Sequence, residues 1–284
     1  MVNISNILYG NFEMPMVIDS LLKSRAVQRL RGIHQSGGIF LVNPRASHTR
    51  LDHSIGVMLL IKKLGGSEIE QIAGLLHDIA HTAFSHVGDY VMEDLTESYH
   101  EKVYAEILLK SDIPNVLHQY GYRTQEIIDG NFEILEQPSP NLCADRIDYT
   151  LRDALQYGLI NREDAIHFIR CLSVKNNKII LEDESQAIWI NQLSKKVNQE
   201  IYNHPEYVYA NTQLAKIIKR GLAKGVLSHE DLFLNDILLL NKIRSTYEGV
   251  TSIKAIKTLE GFKNFLKEKA EIQIKKRYIE VPFS

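Results

Sequence analysis

His77-Asp78-Ile79-Ala80-His81-Thr82-Ala83-Phe84-Ser85-His86-Val87-Gly88-Asp89 is the stretch on which the reading of this chain turns. Its thirteen residues hold three histidines and two aspartates. The preceding residues, 68–76, place Ile69, Ile72, Ala73, Leu75 and Leu76 at helical spacing, so an apolar helix delivers the His-Asp pair into the interior. A buried imidazole beside a buried carboxylate is costly unless the two are paired, metallated or functional. Adjacent His and Asp side chains can both reach one cation only where the backbone bends, as at a helix end. A metal site is the least costly explanation.

Working outward, two more ligand types fall at the starts of expected helices. His53 lies in Arg50-Leu51-Asp52-His53-Ser54-Ile55-Gly56-Val57, and Asp145 in Asn141-Leu142-Cys143-Ala144-Asp145-Arg146-Ile147-Asp148-Tyr149. His53, His77, Asp78 and Asp145 form a mixed nitrogen and oxygen set suited to one divalent ion: manganese, iron, zinc, nickel or, less comfortably, magnesium. No thiolate is offered, which excludes a structural zinc finger. His86 and Asp89, three apart on a helix expected over 84–94, share a face. An aspartate so placed orients a histidine and raises its pKa, as a general acid requires. Arg50, three residues before a ligand, can clamp a phosphate with two donors.

The pattern resembles the HD superfamily of metal-dependent phosphohydrolases. Within it, the chain resembles the deoxynucleoside-triphosphate triphosphohydrolase branch, which includes the SAM-and-HD-domain enzyme, here without the SAM domain. Five ordered blocks carry the likeness, which covers roughly residues 8 to 220. They are Gln28-Arg29-Leu30-Arg31-Gly32-Ile33-His34-Gln35, Pro44 to Arg50 with His53, His77 to Asp89, His100-Glu101, and Asp145 to Tyr149 with Arg152 and Asp153. The resemblance implies a mainly α HD-domain fold and a metal-dependent nucleotide phosphohydrolase, most specifically one that hydrolyses a deoxynucleoside triphosphate to deoxynucleoside and triphosphate. It makes His86 the donor of a proton to the departing ester oxygen, supported by Asp89, with His81 and His100 as further active-site histidines. It places Arg50 on the phosphate, Arg146 where the family carries lysine, and Gln35, Tyr149 and Asp153 around the sugar. It implies a homo-oligomer by analogy. Ser36 stands where the family carries an apolar residue that excludes a 2′-hydroxyl.

Composition bounds the alternatives. The chain has 284 residues, 44% hydrophobic and 24% charged, with a formal net charge of −2, so no global basic field points to nucleic acid. Arg25, Arg29 and Arg31 form a local cluster that could meet phosphate. Two cysteines, Cys143 and Cys171, give no disulfide framework, and the absence of a long apolar run or a leader pattern leads us to expect a cytoplasmic protein with no membrane contact. We expect helices over 19–35 (ended by Gly37-Gly38), 53–64, 68–79, 84–94, 100–110, 184–203 and 206–224. An extended connector is expected over 39–44, a β-hairpin about Asn176-Asn177, and a terminal strand over 272–281. The expected organisation is one HD domain to residue 225, with a helical C-terminal extension, 226–284, packed on it. Two other functions remain open: a phosphomonoesterase or phosphodiesterase on another nucleotide, and a catalytically weak nucleotide sensor.

Overall fold

The computed structural model describes residues 1–94, 96–268 and 278–281. Helices dominate, and among the described residues the strands are confined to two antiparallel hairpins. The Arg50–Lys63 helix lies at the centre. Its five consecutive apolar residues Val57 to Ile61 have no solvent exposure, as fits a helix enclosed on all sides. Thr49 begins it with a reciprocal capping box, its own backbone N–H donating to Asp52 Oδ2 at 2.8 Å. The Glu68–Leu76 helix packs alongside, and Gly74 permits the approach: a Cβ there would stand 2.5 Å from Ile61 Cδ1. The Ala144–Gln156 helix packs on another side of the same central helix. Gly56 makes that contact possible, since a Cβ there would overlap the Asp148 and Arg152 side chains.

Several boundaries differ from expectation, each for a local reason. The expected 19–35 helix divides into Met16–Lys23, Arg25–Arg29 and a 3-10 turn, Leu30–Gly32. Ser24 divides it by turning extended and capping the second piece through Val27 N–H. The expected connector at 39–44 is partly a 3-10 helix, Gly37–Leu41. The expected 84–94 helix is only Val87–Met92, because Phe84 and Ser85 are left-handed, with φ of 60° and 53°. The expected 184–203 helix is α-helical over Glu184–Val197 and continues as a π-helical turn, Asn198–Tyr202.

The hairpin about Asn176-Asn177 forms as expected, pairing Leu172–Lys175 with Lys178–Leu181. Both asparagines take positive φ, 51° and 59°, as a tight two-residue turn requires. A second hairpin, Val2–Asn6 with Gly10–Met14, was not anticipated. Of the expected terminal strand, residues 272–277 lie outside the described residues, and 278–281 are not in a strand.

The apolar interior has two main parts. The larger surrounds the central helix. The second joins Phe84 and Val87 to Leu214 and Ile218 of the Pro205–Ala223 helix, Leu239 and Ile243 of Asp236–Ile243, and Ile253 of Tyr247–Lys257. Residues beyond 225 therefore pack directly on the His77–Asp89 stretch, and Ala83 N–H donates to Leu232 O at 2.7 Å. No helix among the described residues is long and apolar enough to cross a membrane.

Candidate active site

Three helix ends meet at one point. His53 sits in the first turn of Arg50–Lys63, His77 at the C-cap of Glu68–Leu76, and Asp145 in the first turn of Ala144–Gln156. His53 Nε2 is 3.3 Å from His77 Nε2 and 3.0 Å from Asp145 Oδ1. Asp78, just past the helix end, brings Oδ1 to 3.4 Å from His77 Nε2 and Oδ2 to 3.8 Å from His53 Nε2. Thus the four residues singled out as metal ligands present their donor atoms to one another.

The outer partners of the two imidazoles fix which nitrogen faces inward. His77 Nδ1 lies 2.8 Å from Gly74 O, which can only accept, so Nδ1 carries the proton. His53 Nδ1 lies 2.8 Å from Asp148 Oδ2. Burial would raise the Asp148 carboxyl, but Arg152 and His53 prevail and hold it at about 2, so it too accepts. Both Nε2 atoms then turn lone pairs toward each other and toward two carboxylates. Such an arrangement is unfavourable unless a cation stands among the four groups. Without one, a proton must serve. Burial pulls His53 down, yet Asp145 and Asp148, with Asp78 behind them, push it up to about 10. Burial likewise opposes ionisation of Asp145, and His53 and His77 outweigh it. The donor set fits one divalent ion with open positions.

Arg50 stands beside this set, with its side chain buried. Nε donates to Ser85 Oγ at 2.8 Å and Nη1 to Asp78 Oδ2 at 2.6 Å. Nη2 is buried and has no partner. Burial works against an ionised Asp78, and Arg50, with His77 and His81, outweighs it.

Next to it are three imidazoles. His81 Nε2 is 3.3 Å from Asp78 Oδ1, and its ring stacks on His100 with centroids 3.8 Å apart. The His86 ring stands edge-on to His81 at 5.0 Å, and its Nδ1 is 2.9 Å from Asp89 Oδ2. Asp89 is fixed in turn by Tyr99 N–H, which donates to Oδ1 at 3.0 Å. Burial holds His100 down at about 4, with Arg50 assisting against the opposing pull of Asp78. These three histidines also have the spacing of metal ligands.

One cavity of about 780 Å³ reaches His77, Asp78 and Asp145 and the three imidazoles, and continues to the residues assigned to the sugar: Gln35, Tyr149 and Asp153. Asp153 is buried, and its Oδ2 accepts from Tyr202 OH at 2.5 Å. Its Oδ1 lies 3.1 Å from His48 Nε2, but the two are not aligned as a hydrogen bond. Gln35 Oε1 is also buried without a partner. Buried polar atoms left this way are destabilising unless something bonds to them, which suits a ligand with hydroxyl groups. Arg146 lines the cavity as well, with Nη2 2.9 Å from Glu136 Oε1 and Nη1 3.1 Å from Asn141 O.

Arg29 departs from expectation. Half-buried and outside the cavity lining, it donates to Ile79 O at 2.5 Å and His81 O at 2.9 Å, holding the bend that follows the His-Asp pair. Arg25, by contrast, is almost fully exposed. Four residues the sequence did not single out shape the site. Asp148 orients His53, Ser85 holds Arg50, and Tyr202 meets Asp153. Asp236, fully buried, accepts from Phe84 N–H at 2.7 Å, from His34 N–H at 2.9 Å and from His34 Nδ1 at 2.7 Å. The signal for Asp148 was available: it stands three residues after Asp145 on the same helix.

The four converging donors, and the helices that carry them, agree with the HD class that the sequence resembles. Residues 50–153 match the HD domain family, and the chain belongs to it. It is similar to the uncharacterized protein YdhJ of Bacillus subtilis, at 46% identity over 247 residues, 86% of this chain and 76% of that one. It is also similar to the metal-dependent phosphohydrolase cns2 of Cordyceps militaris, at 34% identity over 226 residues, 76% of this chain and 65% of that one. A hypothetical protein from Aquifex aeolicus shares the fold, with a TM-score of 0.73 over 94% of this chain and 80% of its own, at 24% identity.

Proposed function

We propose that the protein hydrolyses the phosphate ester of a nucleotide, with one divalent cation held by His53, His77, Asp78 and Asp145. The observation that carries this reading is the buried, unpartnered Nη2 of Arg50 beside those four converging donors. A divalent ion there supplies a Lewis acid that lowers the pKa of water and offsets developing negative charge. Arg50 Nη2 binds a phosphate oxygen, and Asp78 and Ser85 keep the guanidinium from swinging away. Water attacks phosphorus, the bond from phosphorus to the sugar oxygen breaks, and His86 gives that oxygen its proton. Asp89 holds the His86 ring in place for this transfer. Gln35, Tyr149 and Asp153 seat the sugar, with Tyr202 fixing one oxygen of Asp153.

The resemblance narrows the reaction to release of triphosphate from a deoxynucleoside triphosphate. The test is a panel of matched deoxy, dideoxy and ribo nucleotides, with nucleoside, phosphate and triphosphate products resolved separately. Hydrolysis that needs the divalent ion is expected, with dideoxy forms poor substrates because Asp153 and Gln35 lose a bonding partner. Ribonucleotides should be rejected less strongly, since Ser36 is small and polar. A protein that binds the ion but hydrolyses no nucleotide would overturn the reading. Equal kcat/KM for deoxy and dideoxy forms would remove the sugar-reading role.

A further inference from the structure

We propose that Tyr9, at the tip of the N-terminal hairpin, is a positioning residue for the metal ligand His53 and acts on it through Asp148. The proposal rests on the reading above, in which His53 binds a divalent ion. Tyr9 OH donates to Asp148 Oδ1 at 2.8 Å, across 139 residues of chain. The other oxygen, Oδ2, lies 2.8 Å from His53 Nδ1. One carboxylate therefore joins the hairpin to the imidazole whose Nε2 faces the ligand set.

Arg152 also donates to Asp148, Nη2 to Oδ1 at 2.7 Å and Nε to Oδ2 at 2.9 Å. It stands one turn further along the same helix, so it moves with Asp148 and does not fix the carboxylate against the rest of the fold. Tyr9 does, because its own segment is tied down separately. Leu8 N–H and Tyr9 N–H donate to Asn6 Oδ1 at 2.9 and 3.4 Å, and Arg162 Nε donates to Ile7 O at 2.7 Å. Leu8 and Tyr9 are buried in the larger part of the core. Solvent cannot stand in for the phenol. Asp148 has no solvent exposure, and a Cβ at Gly56 would stand 2.0 Å from its Oδ1, so the central helix closes that side. Burial and the charge of Asp148 hold the Tyr9 hydroxyl well above its ordinary pKa, so it stays a donor. A buried carboxylate oxygen that loses one donor turns toward the donor that remains. Here that donor is Arg152, and the turn draws Oδ2 away from His53 Nδ1. The imidazole then loses the partner that sets its tautomer and ring orientation, on which metal affinity depends.

The test measures manganese affinity of the whole, chelator-stripped chain by calorimetry, in wild type, Tyr9→Phe, Asp148→Asn and the double variant. Phenylalanine keeps the ring and removes only the hydroxyl. Tyr9→Phe should weaken binding about 3–10-fold, less than the roughly 10–100-fold usual for a group that bonds the ligand directly. On the Asp148→Asn background it should weaken binding no further, because the path runs through that carboxylate. Equal affinity in Tyr9→Phe and wild type would overturn the proposal. So would the same loss on both backgrounds, which is the result of a hairpin that only supports the fold. A second measurement needs no variant. Coupling between two sites is reciprocal, so an ion that orders His53 also steadies Tyr9. Manganese should therefore slow amide hydrogen exchange at Leu8 and Tyr9 in the wild type, and leave the Leu172–Leu181 hairpin as it was. Exchange at Leu8 and Tyr9 that manganese does not change would likewise overturn the proposal. A wild type that binds no manganese would instead overturn the metal reading on which it rests.

Discussion

Replacing Asp236 by alanine should damage the active site from a residue beyond position 225 that is far in sequence from every proposed ligand. Its carboxylate accepts three hydrogen bonds: from Phe84 N–H at 2.7 Å, His34 N–H at 2.9 Å and His34 Nδ1 at 2.7 Å. Asp236→Ala strands two backbone N–H groups. Each stranded buried donor costs about 1–3 kcal/mol, so about 2–6 kcal/mol of stability is at stake. The braced loop is also strained. Phe84 and Ser85 both hold left-handed backbone, at about 1–2 kcal/mol each for residues with a Cβ. Such conformations persist only where the surroundings over-determine them. Ser85 anchors Arg50 and is followed by His86, so relaxation of the loop misplaces both the phosphate clamp and the acid. A displacement of 1 Å can cost on the order of 10²-fold in rate. Asp236→Asn keeps one acceptor oxygen, turns an amide N–H toward a donor, and should be intermediate. Urea unfolding at fixed metal concentration gives the stability, and steady-state kinetics give kcat. Manganese affinity, read by calorimetry, should change far less than kcat, because none of the four ligands touches Asp236. If Asp236→Ala unfolds at the wild-type midpoint and turns over at the wild-type rate, the loop is held by other means and the bracing argument is wrong.

Three further outcomes are expected. His86→Ala should lower kcat by about 10²–10⁴-fold, the usual range for loss of a general acid, while metal content persists; an unchanged kcat would move the role to His81. Asp148→Asn should weaken manganese binding by about 10–100-fold by releasing His53 from its inward-facing tautomer, and unaltered affinity in calorimetry would refute that. His100 gives a pH signature. Its folded pKa of about 4 lies below the ordinary histidine value, so the unfolded chain binds a proton that the folded chain refuses. Its contribution is therefore present above the unfolded value and lost as pH falls toward the folded one. Between pH 6 and 5 the loss approaches about 1.4 kcal/mol per pH unit. Urea midpoints of His100→Gln should fall less steeply than wild type over that interval, and parallel profiles would contradict the assignment.

Much of the site was legible because its chemistry is local in sequence. His77 and Asp78 mark the end of an apolar helix, and His53 and Asp145 mark the starts of two others, so short segments carried the pattern. The Asn176-Asn177 turn was legible for the same reason. What escaped notice is held by contacts between distant segments. Asp236 lies some 150 residues from Phe84 and sits in a run, Asp236 to Ile243, that reads only as an amphipathic helix. Tyr202 reaches Asp153 from a π-helical turn that no periodicity distinguishes from a continuing α-helix. The 84–94 stretch was read as one helix because its residue types favour it. The left-handed turn at Phe84 and Ser85 is imposed by packing, where Gly88 leaves room for Thr82 and Phe84 fills the second core. The first hairpin, Val2–Asn6 with Gly10–Met14, did carry a signal in the alternation of Val2 and Ile4, and of Phe12 and Met14, about Gly10.

The central claim is that one divalent cation at His53, His77, Asp78 and Asp145 enables phosphate ester hydrolysis. The most direct measurement strips the protein with chelator and follows phosphate release from a nucleotide as manganese is titrated back, in wild type and in Asp145→Ala. The account expects no release from stripped protein, a rise that saturates near one equivalent per chain in wild type, and no recovery in the variant at that concentration. Full activity in stripped protein, or equal recovery in both proteins, would contradict it.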